Sequence, residues 1–266
     1  MANCPKKPFC LLRPRSFLTC LIFKQCPSNV YVAMDVASVT KRIERFIRRK
    51  VGQAGARGAV LGLSGGLDSA VVAVLCARAL GPDNVMALIM PSSVSRHSDV
   101  EDAKALAARL GIHRKVIPID PILRAFMEHL THDRMAIGNL MARIRMCLLY
   151  YHANHVNYLV VGTGNKSELS VGYFTKYGDG GCDILPIGDV YKTQVRRLAR
   201  HLGVPEKIVK KEPSAGLWGG QTDEKDLGVT YKRLDMVLQG RASSRRIMEM
   251  VRASRHKRRP PEVCRL

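Results

Sequence analysis

Aromatic side chains are scarce in this chain: six Phe, eight Tyr and one Trp make up 6% of 266 residues. Acids are scarce too, with 22 Asp and Glu against 43 Lys and Arg, a formal charge of +21. The basic stretches carry no interleaved aromatics and no RNA-binding signature. The charge therefore argues less for nucleic acid than for a small polyanion. No apolar run reaches the length needed to span a bilayer. Cysteines stand at 4, 10, 20, 26, 76, 147, 182 and 264, and the first four are spaced in no defensible zinc pattern. A reducing, cytoplasmic setting is the simplest expectation.

Apolar residues make up 46%, enough for one large core or two small ones at this length. The basic excess lies mostly at the ends. Residues 1–33 carry +5, residues 241–266 carry +7, and the long middle only +9. The stretch FCLLRPRSFLTCLIF faintly resembles a signal core, but Arg13, Pro14 and Arg15 interrupt it. Met34 opens an amphipathic helix with Val36, Val39, Ile43, Phe46 and Ile47 on one face. The expected organisation is a leader or misassigned start over residues 1–33, then one domain over 34–266 with a basic tail. Cys76 and Cys147, in apolar helical runs, are expected to be buried.

The most informative stretch is LGLSGGLDSAVV, residues 61–72. A short apolar run predicts a buried strand, and Leu67 to Leu80 predicts a helix stopped by Gly81-Pro82. The glycines between them let the free amides at the helix start approach an anion. No lysine precedes Ser69, which excludes G-x-x-x-x-G-K-[ST], and the spacing excludes G-x-G-x-x-G. Asp68 would repel a bare phosphate, so its presence implies a bridging divalent cation.

Further strands are predicted at 85–90, 115–119 and 158–161. Helices are predicted at 99–110 (capped by Asp99), 121–130, 135–156, 190–202, 229–238 and 243–254. Strands alternating with helices predict an α/β fold, a doubly wound parallel sheet with helices on both faces. Ligands of such sheets bind at the carboxyl edge. Two long polar loops, 162–189 and 210–228, exceed simple connectors.

SGGLDS resembles the pyrophosphate-binding loop of the ATP pyrophosphatases, of Rossmann-like, adenine nucleotide α-hydrolase type. ARIRM (142–146), GTGNKSE (162–168), FTKYGDGGCDILPIGDVYK (174–192) and EPSAGLWGGQTDE (212–224) narrow the resemblance to the ammonia-dependent NAD synthetase family, over 34–261. A related thiolation enzyme would show paired CxxC motifs or an active-loop cysteine with a partner, and Cys182 stands alone in these loops. A nucleic-acid-binding protein on an inactive nucleotide fold is suggested by the charge alone.

The resemblance implies a homodimeric carbon–nitrogen ligase that amidates deamido-NAD to NAD with ammonia. The reaction passes through an acyl adenylate and releases AMP and pyrophosphate, the last step of NAD biosynthesis. It implies Mg²⁺ as cofactor, held by Asp68 and Glu168, and ATP as co-substrate. The ATP contacts it implies are Gly62, Leu63, Ser64, Gly65, Gly66, Leu67, Asp68, Ser69, Thr163, Lys192 and Ser214. Arg143, Lys176, Asp183, His256 and Lys257 would bind deamido-NAD. Arg143 and Arg145 do not share a helix face, and the motif selects Arg143. Lys192 would offset phosphate charge and Asp179 would orient ammonia or take its proton. Arg96 and His97 depart from the family's adenine loop, so no adenine contact is assigned.

Overall fold

Residues 58–62 are apolar or glycine and lie fully or largely out of water, and they form the central strand of the sheet. In the computed structural model, residues 34–265 are described; the reading of residues 1–33 lies outside them. The elements run α1 (Val36–Gln53), β1 (Gly58–Gly62), α2 (Leu67–Leu80), β2 (Val85–Ile89), α3 (His97–Leu110), β3 (His113–Val116), α4 (Asp120–Met127), α5 (Arg134–Val156) and β4 (Tyr158–Val160). There follow α6 (Lys166–Val171), α7 (Lys192–His201), α8 (Glu206–Val209), α9 (Asp223–Leu227), α10 (Tyr231–Leu238) and α11 (Arg245–Ala253).

The sheet order is β3-β2-β1-β4 and every pairing is parallel. Alternate residues of a strand point to opposite faces, and here they feed two cores. Ala59 and Leu61 pack with α1, α2, α3 and α7, whereas Val60, Leu88 and Val160 pack with α4 and α5. The fold is the doubly wound α/β sheet. A third apolar cluster, around Leu234 and Ile247, joins α6, α10 and α11.

β1 is flanked by β2 on one side and β4 on the other. The chain therefore reverses its winding direction at the β1–β4 seam, where the carboxyl ends of parallel strands leave a crevice.

Some boundaries differ from the pattern. The third strand is His113–Val116 rather than 115–119, on an exposed edge where polar residues pair as readily as apolar ones. Asp99 lies inside the first turn of α3, and Arg96 is the N-cap. Short α6, α8 and α9 escape periodicity because four to six residues do not complete a pattern. Cys76 is buried, with its thiol pushed up to about 12 by desolvation, but Cys147 faces solvent on α5.

Candidate active site

The loop after β1 is tightly prescribed. Gly65 has φ +78°, and a Cβ there would lie 2.1 Å from the Asp99 carbonyl oxygen, so only glycine fits. The Ser64 and Ser69 hydroxyls lie 3.1 Å apart. Ser69 donates to the Gly66 carbonyl at 3.1 Å and accepts the Ser64 N–H at 3.2 Å. The N-cap of α2, Gly66, offers no side-chain acceptor to the first amides of the helix. That leaves a helix N-terminus able to take an anion.

At this loop sits an ionic cluster drawn from both sides of the seam. Asp68, in the first turn of α2, accepts from Lys192 Nζ at 2.5 Å. Glu168, on α6, accepts from the same ammonium at 3.0 Å, and its Oε1 lies 3.3 Å from the Tyr231 hydroxyl oxygen. Tyr231 donates its one hydroxyl proton to Asp223 at 2.8 Å, and its ring lies 5.0 Å from Lys192 Nζ. Lys192 is 3% exposed. Burial alone would lower its pKa, but Asp68, Glu168 and Asp223 outweigh burial and hold it above the ordinary lysine value. Desolvation, with the nearby Asp68 and Asp223 charges, pushes Glu168 up to about 7 against the pull of Lys192. Asp223 is raised chiefly by burial, which the Lys192 charge opposes.

Three carboxylates thus face one ammonium, and the buried Asp223 Oδ1 has no hydrogen-bond partner. Such a donor set fits a hard divalent cation that takes one or two carboxylates and completes its shell with phosphate oxygens and water. Among the described residues no three or more His, Cys, Asp and Glu side chains are placed to hold a metal by themselves, so at most two of these carboxylates would serve as ligands.

A second layer fixes these groups. Asn165 caps α6 through the Glu168 N–H at 3.1 Å, and its amide donates to Asp68 at 3.1 Å. Buried Asp235, on α10, accepts from the Ser167 hydroxyl, from Thr193 N–H at 3.0 Å and from the Thr193 hydroxyl at 2.7 Å. Ser167 in turn accepts the Lys192 N–H at 2.9 Å. The start of α7, and with it Lys192, is anchored to a buried negative charge.

The structure brings Asp68, Ser69, Glu168 and Lys192 together with the glycine loop. Gly62, Leu63 and Leu67 form the strand end and helix start on either side of that loop, and Thr163 lies between β4 and α6. Ser214 is turned into its own loop: its hydroxyl donates to the Gln221 carbonyl at 2.7 Å and accepts the Gly216 N–H at 3.1 Å.

The residues assigned to deamido-NAD form a more dispersed set, several of them engaged with the protein. Arg143 is exposed and donates to the Lys176 carbonyl at 3.4 Å. Lys176 donates to the His256 carbonyl at 3.1 Å. Asp183 accepts from Tyr150 at 3.0 Å and from the Val160 N–H at 2.8 Å, which pins it to β4. Lys257 donates to the Gly172 and Phe174 carbonyls at 2.8 and 2.9 Å. Asp179 accepts the Thr175 N–H at 2.8 Å. Asp179 is exposed on the surface; protein packed around its carboxyl raises its pKa, and the Thr175 bond opposes the rise.

Sequence reasoning missed Asn165, Tyr231, Asp223, Asp235 and Arg145 as members or supports of the site. Asn165 and Asp223 lie inside the quoted motifs; nothing local marks Asp235. Arg145 donates to the Met90 carbonyl at 3.0 Å at the end of β2. Burial lowers its pKa to about 10, against the pull of Asp120 and Asp179.

A glycine loop, an acid in the following helix turn and a buried lysine at the switch point define an anion-binding α/β site. A family profile described as NAD synthase matches residues 39–261. The NH₃-dependent NAD⁺ synthetase of Archaeoglobus fulgidus is 54% identical over 243 residues, covering 88% of this chain and 98% of that protein. The protein of the same name from Methanococcus aeolicus is 53% identical over 210 residues, covering 77% and 83%. Among solved structures, an NMN synthetase from Francisella tularensis has TM-score 0.82 at 39% identity, covering 87% of this chain and 99% of that one. An NH₃-dependent NAD synthetase from Campylobacter jejuni has TM-score 0.74 at 38% identity, covering 88% and 100%. The chain belongs to the NAD synthase family.

Proposed function

We propose that this chain is an ammonia-dependent NAD⁺ synthetase. It uses ATP to amidate deamido-NAD, giving NAD, AMP and pyrophosphate. The observation that carries this reading is the buried Lys192 held between Asp68 and Glu168 at the glycine loop, in a chain 54% identical to a relative of that name.

The reaction needs no protein nucleophile. The nicotinate carboxylate attacks the α-phosphorus of ATP and pyrophosphate leaves; ammonia then attacks the acyl adenylate and AMP leaves. Alignment of anions and neutralisation of developing charge are the protein's tasks. The amides of residues 64–69 receive the β,γ-phosphates at the α2 N-terminus. Lys192, held charged by its carboxylates, offsets charge on the phosphate oxygens. Asp68 and Glu168 would hold Mg²⁺, which when bound neutralises and orients the phosphates. Thr163 and the Ser214 loop close the ATP side. Arg143, Lys176, Asp183, His256 and Lys257 bind deamido-NAD. At Asp179 the second carboxylate oxygen, the one not taken by Thr175, accepts a proton on the way from ammonium to amide. Its raised pKa makes it a better base than an ordinary aspartate.

We read residues 34–266 as one domain that works as a cytoplasmic homodimer with small-molecule partners. Among the described residues no helix is long and apolar enough to cross a membrane.

A second substrate is favoured by one observation, the likeness to the NMN synthetase of Francisella tularensis. On that reading the amidated molecule is nicotinate mononucleotide. The test is one assay of the purified chain with Mg-ATP and ammonium chloride. Deamido-NAD or nicotinate mononucleotide is supplied, and amidated product and AMP are followed by chromatography. Stoichiometric NAD and AMP, with a higher kcat/KM for deamido-NAD, is expected. Preference for the mononucleotide would transfer the assignment, and no AMP with either would discard it.

A further inference from the structure

Lys211 lies in the loop after α8, outside every group assigned above. Its ammonium donates to the Gly65 carbonyl at 2.9 Å and to Asp99 at 2.6 Å. It also lies 2.6 Å from Asp102 Oδ2, while Lys207 pairs with the other oxygen of Asp102. One half-buried side chain therefore joins three segments: the glycine loop, the first turn of α3, and the loop that carries Ser214. The first two also lie close together, since a Cβ at Gly65 would collide with the Asp99 carbonyl.

The bond to Gly65 matters because a trans peptide is planar and its N–H points opposite to its C=O. The peptide that presents its carbonyl to Lys211 is the one that carries the Gly66 N–H. With the carbonyl fixed toward Lys211, that N–H must face the other side, where it now meets Ser64 Oγ at 3.2 Å. Both residues flanking this peptide are glycines, which occupy positive and negative φ with similar ease. Nothing in the side chains of Gly65 or Gly66 prevents a flip. A flipped peptide would turn a carbonyl oxygen, instead of an amide hydrogen, toward an incoming phosphate.

We propose that Lys211 is a positioning residue for the pyrophosphate end of ATP. It holds the Gly65–Gly66 peptide in the orientation that donates to phosphate, and it ties that orientation to the Ser214 loop. The inference rests on the reading that the glycine loop receives the β,γ-phosphates. It makes affinity for ATP and pyrophosphate depend on Lys211, and leaves affinity for deamido-NAD independent of it.

The experiment is calorimetric titration of the full chain with inorganic pyrophosphate and Mg²⁺, and separately with deamido-NAD. It compares wild type, Lys211→Met, Lys211→Arg and the double variant Lys211→Met/Asp102→Asn, each with a thermal melt. Lys211→Met is expected to weaken pyrophosphate binding on the order of tenfold to a hundredfold, the loss of one charge-assisted hydrogen bond. Deamido-NAD binding should be unchanged, and Lys211→Arg should recover part of the loss. Neutralising Asp102 should restore the melting temperature without restoring pyrophosphate affinity.

Pyrophosphate binding by Lys211→Met equal to wild type would overturn the proposal. So would a double variant that regains affinity together with stability, because Lys211 would then only neutralise buried carboxylates. An equal loss of deamido-NAD affinity would overturn it as well. Wild type that binds no pyrophosphate at all would instead remove the loop reading on which the proposal stands.

Discussion

Lys192 and Lys257 are both lysines gripped by the protein, yet they spend their charge differently. Lys192 faces carboxylates, Asp68 and Glu168, and is nearly sealed from water. Lys257 faces uncharged backbone carbonyls, those of Gly172 and Phe174. Its neighbour Arg258 does the same with the carbonyls of Leu169, Ser170 and Val251. Cations at a helix C-terminus satisfy orphan carbonyls and complement the dipole. The tail is thus a clamp on the end of α6, whereas Lys192 is the counter-charge of an acidic cluster. A stretch that reads as a loose charge run in sequence can be a built structural part.

Removing Lys192 should have the largest effect. Lys192→Met leaves the half-buried Asp68 and Glu168 without their cation, beside the buried Asp223, a loss of about 3–5 kcal/mol of stability. It should also lower kcat on the order of a hundredfold to a thousandfold. Melts with and without Mg²⁺ sharpen the point: the divalent cation should recover more stability in the variant than in wild type. Equal recovery would show that the carboxylates are not a cation site.

Asp235→Ala comes next. It strips the acceptor from Ser167 and Thr193, which should cost about 1–3 kcal/mol. Because Lys192 moves with the start of α7, kcat should fall about tenfold, with KM for deamido-NAD unchanged. A proportional loss of both would contradict a role through Lys192.

Glu168 supplies the pH dependence. Its folded pKa of about 7 lies above the ordinary 4.5, so the ligand-free native state holds a proton the unfolded chain has lost. The sign follows from linkage: the contribution is full below about 4.5 and disappears as pH rises through 7. Glu168→Gln should flatten that slope in denaturant titrations across pH 4–8.

Lys257→Met should cost about 1–2 kcal/mol through its two orphaned carbonyls. It separates the two roles of the tail. A higher KM for deamido-NAD at saturating ATP would add ligand binding to the clamp; unchanged kinetics would leave the clamp alone. His256→Ala should have the smallest effect on stability, within about 0.5 kcal/mol for an exposed side chain.

The glycine loop, the central strands and α2 were legible because their signals are local: an apolar run, then glycines, then a helical period closed by Gly-Pro. The pairing of Asp68 with Lys192 was not, since 124 residues separate them and only the closed sheet brings them together. The motifs named both residues, but not that they hold one another. Lys211 and Asp235 carried no signal, because their partners lie in distant segments: the Gly65 carbonyl, Asp99 and Asp102 for one, Ser167 and Thr193 for the other. The terminal cations were visible as charge, and His256 and Lys257 as matches to the family's ligand positions, but the carbonyl acceptors that hold Lys257 and Arg258 leave no trace in sequence.

Helix α6 shows what this density of contacts means for variation. In its six residues and their flanks, Asn165 reaches Asp68, Ser167 reaches Asp235, and Glu168 meets Lys192. Val171 enters a core, and Gly172 leaves no room beside Ser254. Almost every position answers to a different neighbour, so few changes can be compensated nearby. A saturation library over 165–172 should return few functional variants, while the exposed edge strand β3 tolerates many. This turn and a half is where the chain has least freedom to drift.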